Sequence, residues 1–129
     1  MRIVSATVIA LLTLSLAACG SNEGEITIPP QHWKDMDIRV ETHPNPPLAG
    51  MSEVVVIVTG PRGRPSQDLT ISLRGDDSIP WVQTIQDGLI GVYRRAVDLG
   101  DGEVSQLRVQ VKQGDDKKTL LFPLKLSPS

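Results

Sequence analysis

The chain has 129 residues, a formal net charge of −2, one cysteine, and two Trp, one Tyr and one Phe as its aromatic residues. This length fits a single domain, and the balanced charge predicts no basic patch for binding nucleic acid or anionic lipid. A lone cysteine excludes an intramolecular disulfide, and the scarcity of aromatic residues leaves Val, Ile and Leu to build the core, which favours β-strands.

Residues 1–18 have the pattern of a secretory signal peptide. Arg2 is the only charge, a long apolar run follows it, and small residues end the segment. The sequence Leu16-Ala17-Ala18-Cys19 resembles the lipobox of bacterial lipoproteins. The resemblance implies cleavage between Ala18 and Cys19 and acylation of Cys19 with fatty acids such as palmitate. An uncleaved single-pass membrane anchor is the alternative, although the apolar run is shorter than the roughly 20 residues that a spanning helix needs.

The residues after Cys19 indicate where the processed protein is anchored. Gly20 and Ser21 follow the cysteine, and lipoproteins of this kind are retained in the inner membrane when Asp stands there. Its absence favours the outer membrane, facing the periplasm, with membrane lipid bound through Cys19. Without residues 1–18, 111 of the 129 residues remain, and the loss of Arg2 takes the formal net charge from −2 to −3.

The processed chain divides into a tether and a domain. Residues 19–34 begin with a polar stretch and contain Pro29-Pro30, which stiffens the approach to the domain. We therefore predict an acylated cysteine and tether over residues 19–34, and a folded domain over residues 35–129.

Seven strand-like runs separated by turn residues fill the predicted domain. Most of them alternate apolar and polar residues, which is typical of half-buried strands, and none shows a sustained helical period. The runs cover residues 36–42, 53–59, 68–74, 81–86, 89–99, 104–112 and 119–126. The run 53–59 is apolar on both faces, so we expect it in the centre of a sheet.

Two runs have special features. Residues 89–99 fit two registers, which predicts a bulge near Arg94 and Arg95. Pro123 lacks the N–H that a central strand would donate, so it predicts an edge strand or a bulge for the last run. Together the seven runs predict an all-β fold, a single antiparallel immunoglobulin-like β-sandwich, with a small barrel as the alternative.

The order of these features resembles the YtkA-like and FixH-like bacterial domains over roughly residues 38–126. The resemblance rests on the Pro-rich segment 44–50 before a long strand, Gly63-Arg64-Pro65 as a turn, Gly91-Val92-Tyr93 within a strand, and a terminal hairpin. It implies an extracytoplasmic immunoglobulin-like sandwich. Some relatives carry segments rich in Met and His and are linked with copper handling or oxidase assembly, but residues 74–88 here contain neither residue type.

Candidate metal ligands are few, and we find no motif for catalysis. His32 and His43 are the only histidines, and Met36 and Met51 stand near them in the sequence; imidazole and thioether groups suit copper. The simpler interpretation is that the histidines are solvated loop residues, so we predict no metal and no cofactor.

We therefore predict a non-enzymatic interaction or structural module of the cell envelope that binds an envelope protein of unknown identity and no nucleic acid. Exposed sheet edges and the loops 44–50 and 75–80 are the expected contact points. The alternative is a YtkA-like protein for copper handling or oxidase assembly that uses His32, His43, Met36 or Met51.

Overall fold

A computed structural model describes residues 25–88 and 90–128, which form two antiparallel sheets packed face to face. These residues contain one 3-10 turn, Pro61–Gly63, and no α-helix. The nine strands are β1 (Gln31–Trp33), β2 (Met36–His43), β3 (Met51–Thr59), β4 (Thr70–Arg74), β5 (Val82–Gln83), β6 (Ile85–Gln86), β7 (Val92–Asp98), β8 (Val104–Gln113) and β9 (Asp116–Lys125). The predicted all-β sandwich is confirmed.

The strand order is that of an immunoglobulin-like sandwich. One sheet has the order β1-β2-β3-β7-β6 and the other has the order β5-β4-β8-β9. Without β1, the first sheet matches the A-B-E-D order of immunoglobulin domains, and the second matches C-F-G with one added edge strand. The strand β3 lies inside its sheet, as its apolar sequence predicts, and β9 with Pro123 is an edge strand.

Alternation along the strands builds the core between the sheets. In β2, Met36, Ile38 and Val40 point inward, while the intervening residues face solvent or are half-buried. In β9, Leu120, Phe122 and Leu124 do the same from the other sheet. Because successive side chains of a strand point to opposite faces, this period of two alone separates core from surface.

The run 81–86 forms two short strands in different sheets rather than one weak strand. The residues of β5 pair with β4, whereas those of β6 pair with β7. Thr84 lies between them and is buried, and both its backbone N–H and its hydroxyl donate to the carbonyl of Ile71 at 2.8 Å. The chain crosses from one sheet to the other at this residue, which accounts for one of the two strands beyond the seven predicted runs; β1 is the other.

The predicted bulge in the run 89–99 is wrong. Residues 92–98 pair one to one with residues 51–57 of β3, without an inserted residue. The register places Tyr93, Val97 and Leu99 in the core. Arg95 lies on the same side of β7 as Tyr93 and Val97, but its side chain is exposed. Because β6 pairs only with Tyr93 and Arg94, the sheet is open beside Arg95, and a long side chain can reach solvent there.

The folded part begins before residue 35, the domain boundary that the sequence predicts. Strand β1 pairs with the first residues of β2, and Ile26, Ile28 and Trp33 pack against the core. Residues 25–34 therefore belong to the sandwich rather than to the predicted tether.

Candidate binding surfaces

The four candidate metal ligands are not gathered at one place. Met36 is 2% exposed in the core. His32 lies opposite Asp37 at one end of β2, with its Nδ1 atom 3.2 Å from Asp37 Oδ1, and His43 ends the same strand. Asp37 and His43 are six residue steps apart along an extended strand, a distance of about 20 Å. The two histidines therefore cannot share a metal ion.

His43 and Met51 lie near each other with their side chains on the same outer face of the sheet. His43 is directly opposite Glu53 in the β2–β3 ladder, and Met51 lies two residues from Glu53 on the same outer face. Met51 is 60% exposed. Within residues 25–88 and 90–128, no three His, Cys, Asp or Glu side chains are grouped so that they could hold a metal ion.

The predicted cleavage and lipidation residues, Ala18 and Cys19, lie outside the described residues. In the part that is described, no helix is both long enough and apolar enough to cross a membrane.

The loop 44–50 is fixed by hydrogen bonds rather than free. The backbone N–H of Leu48 donates to Ser52 Oγ at 2.8 Å, and that hydroxyl donates to the Leu48 carbonyl at 3.1 Å. The N–H of Ala49 donates to the carbonyl of Ser127 at 2.8 Å, which ties the loop to the end of the chain. This loop is a rigid surface, as expected of a contact point on a scaffold.

The loop 75–80 is held by the arginine that precedes it. The Arg74 guanidinium donates to the carbonyls of Asp76, Asp77 and Ile79. Hydrogen bonds from the backbone N–H and the hydroxyl of Ser78 hold the pKa of Asp76 below its ordinary value.

The two loops meet at one end of the sandwich. Gly75 packs so closely on the backbone of Asp98 and Leu99 that a Cβ atom would overlap them. The N–H of Leu99 donates to the carbonyl of Gly50 at 2.8 Å. The two predicted contact loops are therefore joined through the end of β7.

A cleft of about 460 Å³ lies along the edge of β2, and we call it the edge cleft. Its walls are residues 25–28 on one side and residues 39–43 of β2 on the other, with Asn45 at one end. Strand β1 pairs with β2 only as far as Ile38. The pairing stops there because Pro29 and Pro30, which precede β1, have no N–H to donate.

Asn45 holds the outer wall of the edge cleft in place. Its Oδ1 accepts the Ile26 N–H at 2.8 Å, and its Nδ2 donates to the Ile26 carbonyl at 3.1 Å. Thr42 is also among the residues that line the cleft, but its side chain has the inward phase of β2 and is 3% exposed, and its hydroxyl oxygen has no hydrogen-bond partner among the described residues.

The edge cleft is suited to an extended peptide. Residues 39–43 pair with β3 on one side, and no strand of the described chain pairs with their other side. Unpaired backbone on an edge strand is a template for a further strand. The sequence predicts strand addition at an exposed edge without specifying which edge. Its only signal for this edge is Pro29-Pro30, within the segment predicted to be a tether.

No protein-family model matches this chain, and no curated protein matches it. Among solved structures, the crystal structure of a DUF4426 family protein from Pseudomonas aeruginosa PAO1 is similar, with a TM-score of 0.53. The similarity covers 78% of this chain and 98% of that one at 13% sequence identity. At this identity the similarity shows a shared fold alone. The resemblances to the lipobox and to the YtkA-like and FixH-like domains remain predictions.

Proposed function

We propose that this protein is a lipoprotein of the bacterial cell envelope, anchored through acylated Cys19, whose sandwich is a non-enzymatic interaction module. The edge cleft is the observation that most supports this proposal. It combines unpaired backbone of β2 with an outer wall fixed by Asn45. A partner would bind by adding an extended segment to β2.

Site-specific crosslinking in the native host tests the cleft as the binding site. A photoreactive amino acid at Glu41, which lines the cleft, should give one discrete adduct with an envelope protein. The same amino acid at Gln67, an exposed position in the loop between β3 and β4, should not give that adduct. An identical adduct pattern at both positions would contradict the proposal.

A steric block separates binding in the cleft from contact nearby. Thr27 is exposed and lines the cleft, so Thr27→Trp should place an indole where the added strand would lie and abolish the Glu41 adduct. Gln67→Trp is the matched control, since it adds the same side chain to a distant exposed loop. An adduct that persists with Thr27→Trp would place the contact outside the cleft.

Copper handling of the YtkA-like type is a second candidate, favoured only by the proximity of His43 and Met51 around Glu53. Under this candidate, copper titration of the chain from residue 19 would show binding that His43→Ala removes. His32→Ala is the control because His32 lies at the far end of β2, and equal binding by both variants would rule out the His43 site.

A further inference from the structure

The outer face of the sheet β5-β4-β8-β9 carries five cationic side chains and no carboxylate from its described strands. We call this surface the basic face. Its cations are Arg74, Arg108, Lys112, Lys117 and Lys125, which share the outward phase of their strands. The prediction of a surface without a basic patch is therefore wrong for this face.

The opposite face of the molecule has the opposite charge. On the outer side of the other sheet, Arg39 and Arg94 are outnumbered by four carboxylates, which belong to Asp37, Glu41, Glu53 and Asp98. A net charge near zero thus conceals a molecule with one positive and one negative face. Such a molecule has a preferred orientation beside a charged surface.

Like charges lie directly opposite each other at two places on the basic face. Arg74 is the cross-strand partner of Arg108, and Lys112 is the partner of Lys117. Such pairs destabilise a sheet. Arg108 is compensated by Asp77, at 3.0 Å, but in the described part of the chain neither Lys112 nor Lys117 has an ion-pair partner. Local conflicts of this kind are characteristic of functional surfaces.

Exposed aliphatic side chains stand among the cations. Val104 is 62% exposed and Leu121 is 50% exposed, and both have the outward phase of the basic face. Lysine and arginine mixed with exposed aliphatic groups suit the interface of an anionic membrane, where the cations meet headgroups and the aliphatic groups enter the layer beneath.

The first described residues run from the edge cleft, where Asn45 holds Ile26, to the edge of the sheet that carries the basic face. The side chain of Gln31 donates to the carbonyl of Leu121 in β9, the edge strand of the same sheet. Only six residue steps separate Cys19 from Glu25, which span at most about 20 Å when fully extended. A lipid on Cys19 would therefore keep the whole sandwich, and with it the basic face, within short reach of the membrane that holds it.

We propose that the basic face docks on an anionic phospholipid surface, with the acidic face directed away from it. The proposal rests on the proposed function for the site of anchoring and on charge complementarity for the docking itself. An acidic protein would also complement the cations, but Val104, Leu121 and the short reach from Cys19 favour the membrane.

Vesicle binding tests the docking without the anchor. The chain from residue 19 with Cys19→Ser keeps every residue of both sheets and cannot be acylated at that position. It should cosediment with vesicles of phosphatidylcholine and phosphatidylglycerol and not with phosphatidylcholine alone, and high salt should release it because salt screens the attraction. Lys112→Gln with Lys117→Gln should weaken binding about 10- to 30-fold.

A matched double variant distinguishes an effect of the basic face from a general effect of the protein's net charge on vesicle binding. Arg94→Gln with Arg95→Gln removes the same charge from exposed positions of β7 in the other sheet, outside the edge cleft, and should leave vesicle binding unchanged. Equal weakening by both double variants, or equal binding to both vesicle types, would overturn the proposal; the second result would leave an acidic protein as the partner. Should the lysine double variant not fold, Lys125→Gln tests the same face and should weaken binding about fivefold.

Failure of this inference is distinguishable from failure of the proposed function. Mass spectrometry of the protein from its host reports whether Cys19 is acylated, whatever the vesicles show. Conversely, the unacylated chain either prefers anionic vesicles or does not, whatever the state of Cys19 in the cell.

Discussion

At the scale of single residues, the proposed membrane anchoring depends on Cys19. Cys19→Ser should leave an unprocessed precursor that keeps residues 1–18, because the lipobox resemblance implies that processing requires the thiol of this cysteine. Immunoblotting for the size of the product, with Ser21→Ala as the control, checks this expectation. Normal maturation of Cys19→Ser would refute the lipoprotein prediction.

Tyr93 connects β7 to the segment before β4. Its side chain is 1% exposed, and its hydroxyl donates to the Ser66 carbonyl at 3.0 Å and accepts the Leu69 N–H at 3.4 Å. We expect Tyr93→Phe to lower the free energy of unfolding by about 1–2 kcal/mol, since it leaves polar backbone groups without their partner. Urea denaturation measures the change, and an unaltered midpoint would show that the hydroxyl does not contribute.

The same residue makes the free energy of unfolding depend on pH in the alkaline range. Burial raises the pKa of Tyr93 above its ordinary value of 10.0. Between about pH 10 and the higher folded pKa, tyrosine ionises in the unfolded chain but not in the folded one, so stability falls as pH rises through this range. Tyr93→Phe lacks this contribution, because Tyr93 is the only tyrosine. The stability difference between wild type and variant should therefore narrow above about pH 10; a constant difference would contradict the assignment.

At the scale of elements, the hairpin of β8 and β9 carries an unfavourable pair. Lys112 and Lys117 are cross-strand partners, so Lys117→Glu should replace a repulsion with an attraction and raise the free energy of unfolding by about 0.2–1 kcal/mol. Lys118→Glu makes the same change of charge one residue away, opposite Val111, and should stabilise less. Thermal unfolding of both variants checks this, and a lower melting temperature for Lys117→Glu than for wild type would contradict it.

The elements also show what periodicity can and cannot predict. The alternation in residues 36–42 and 104–112 identified β2 and β8 and their buried faces, because a half-buried strand repeats every two residues. The crossing at Thr84 was not predicted, since a strand that changes sheets keeps the same local pattern. The register of β7 was ambiguous in sequence and is fixed by its pairing with β3.

At the scale of the whole molecule, stability has to come from the core. The buried residues from both sheets form one hydrophobic cluster, and the only cysteine lies outside the described residues. The chain from residue 19 should therefore show a β-type circular dichroism spectrum and a melting temperature that reducing agent does not change. A helical spectrum would contradict the fold, and a lower melting temperature in reducing agent would indicate a disulfide between two chains.

The amino-acid sequence by itself determined the all-β class, most of the strands and their inward faces, because a strand buried on one side has an apolar residue at every second position. It also supplied the lipobox resemblance, which is a local motif. Only the tertiary structure decided that residues 25–34 belong to the sandwich, that β2 has a free edge beside a cleft, and that cations gather on one face. These features depend on which strands become neighbours, and pairing between residues as distant as Arg74 and Arg108 is not encoded in any local pattern.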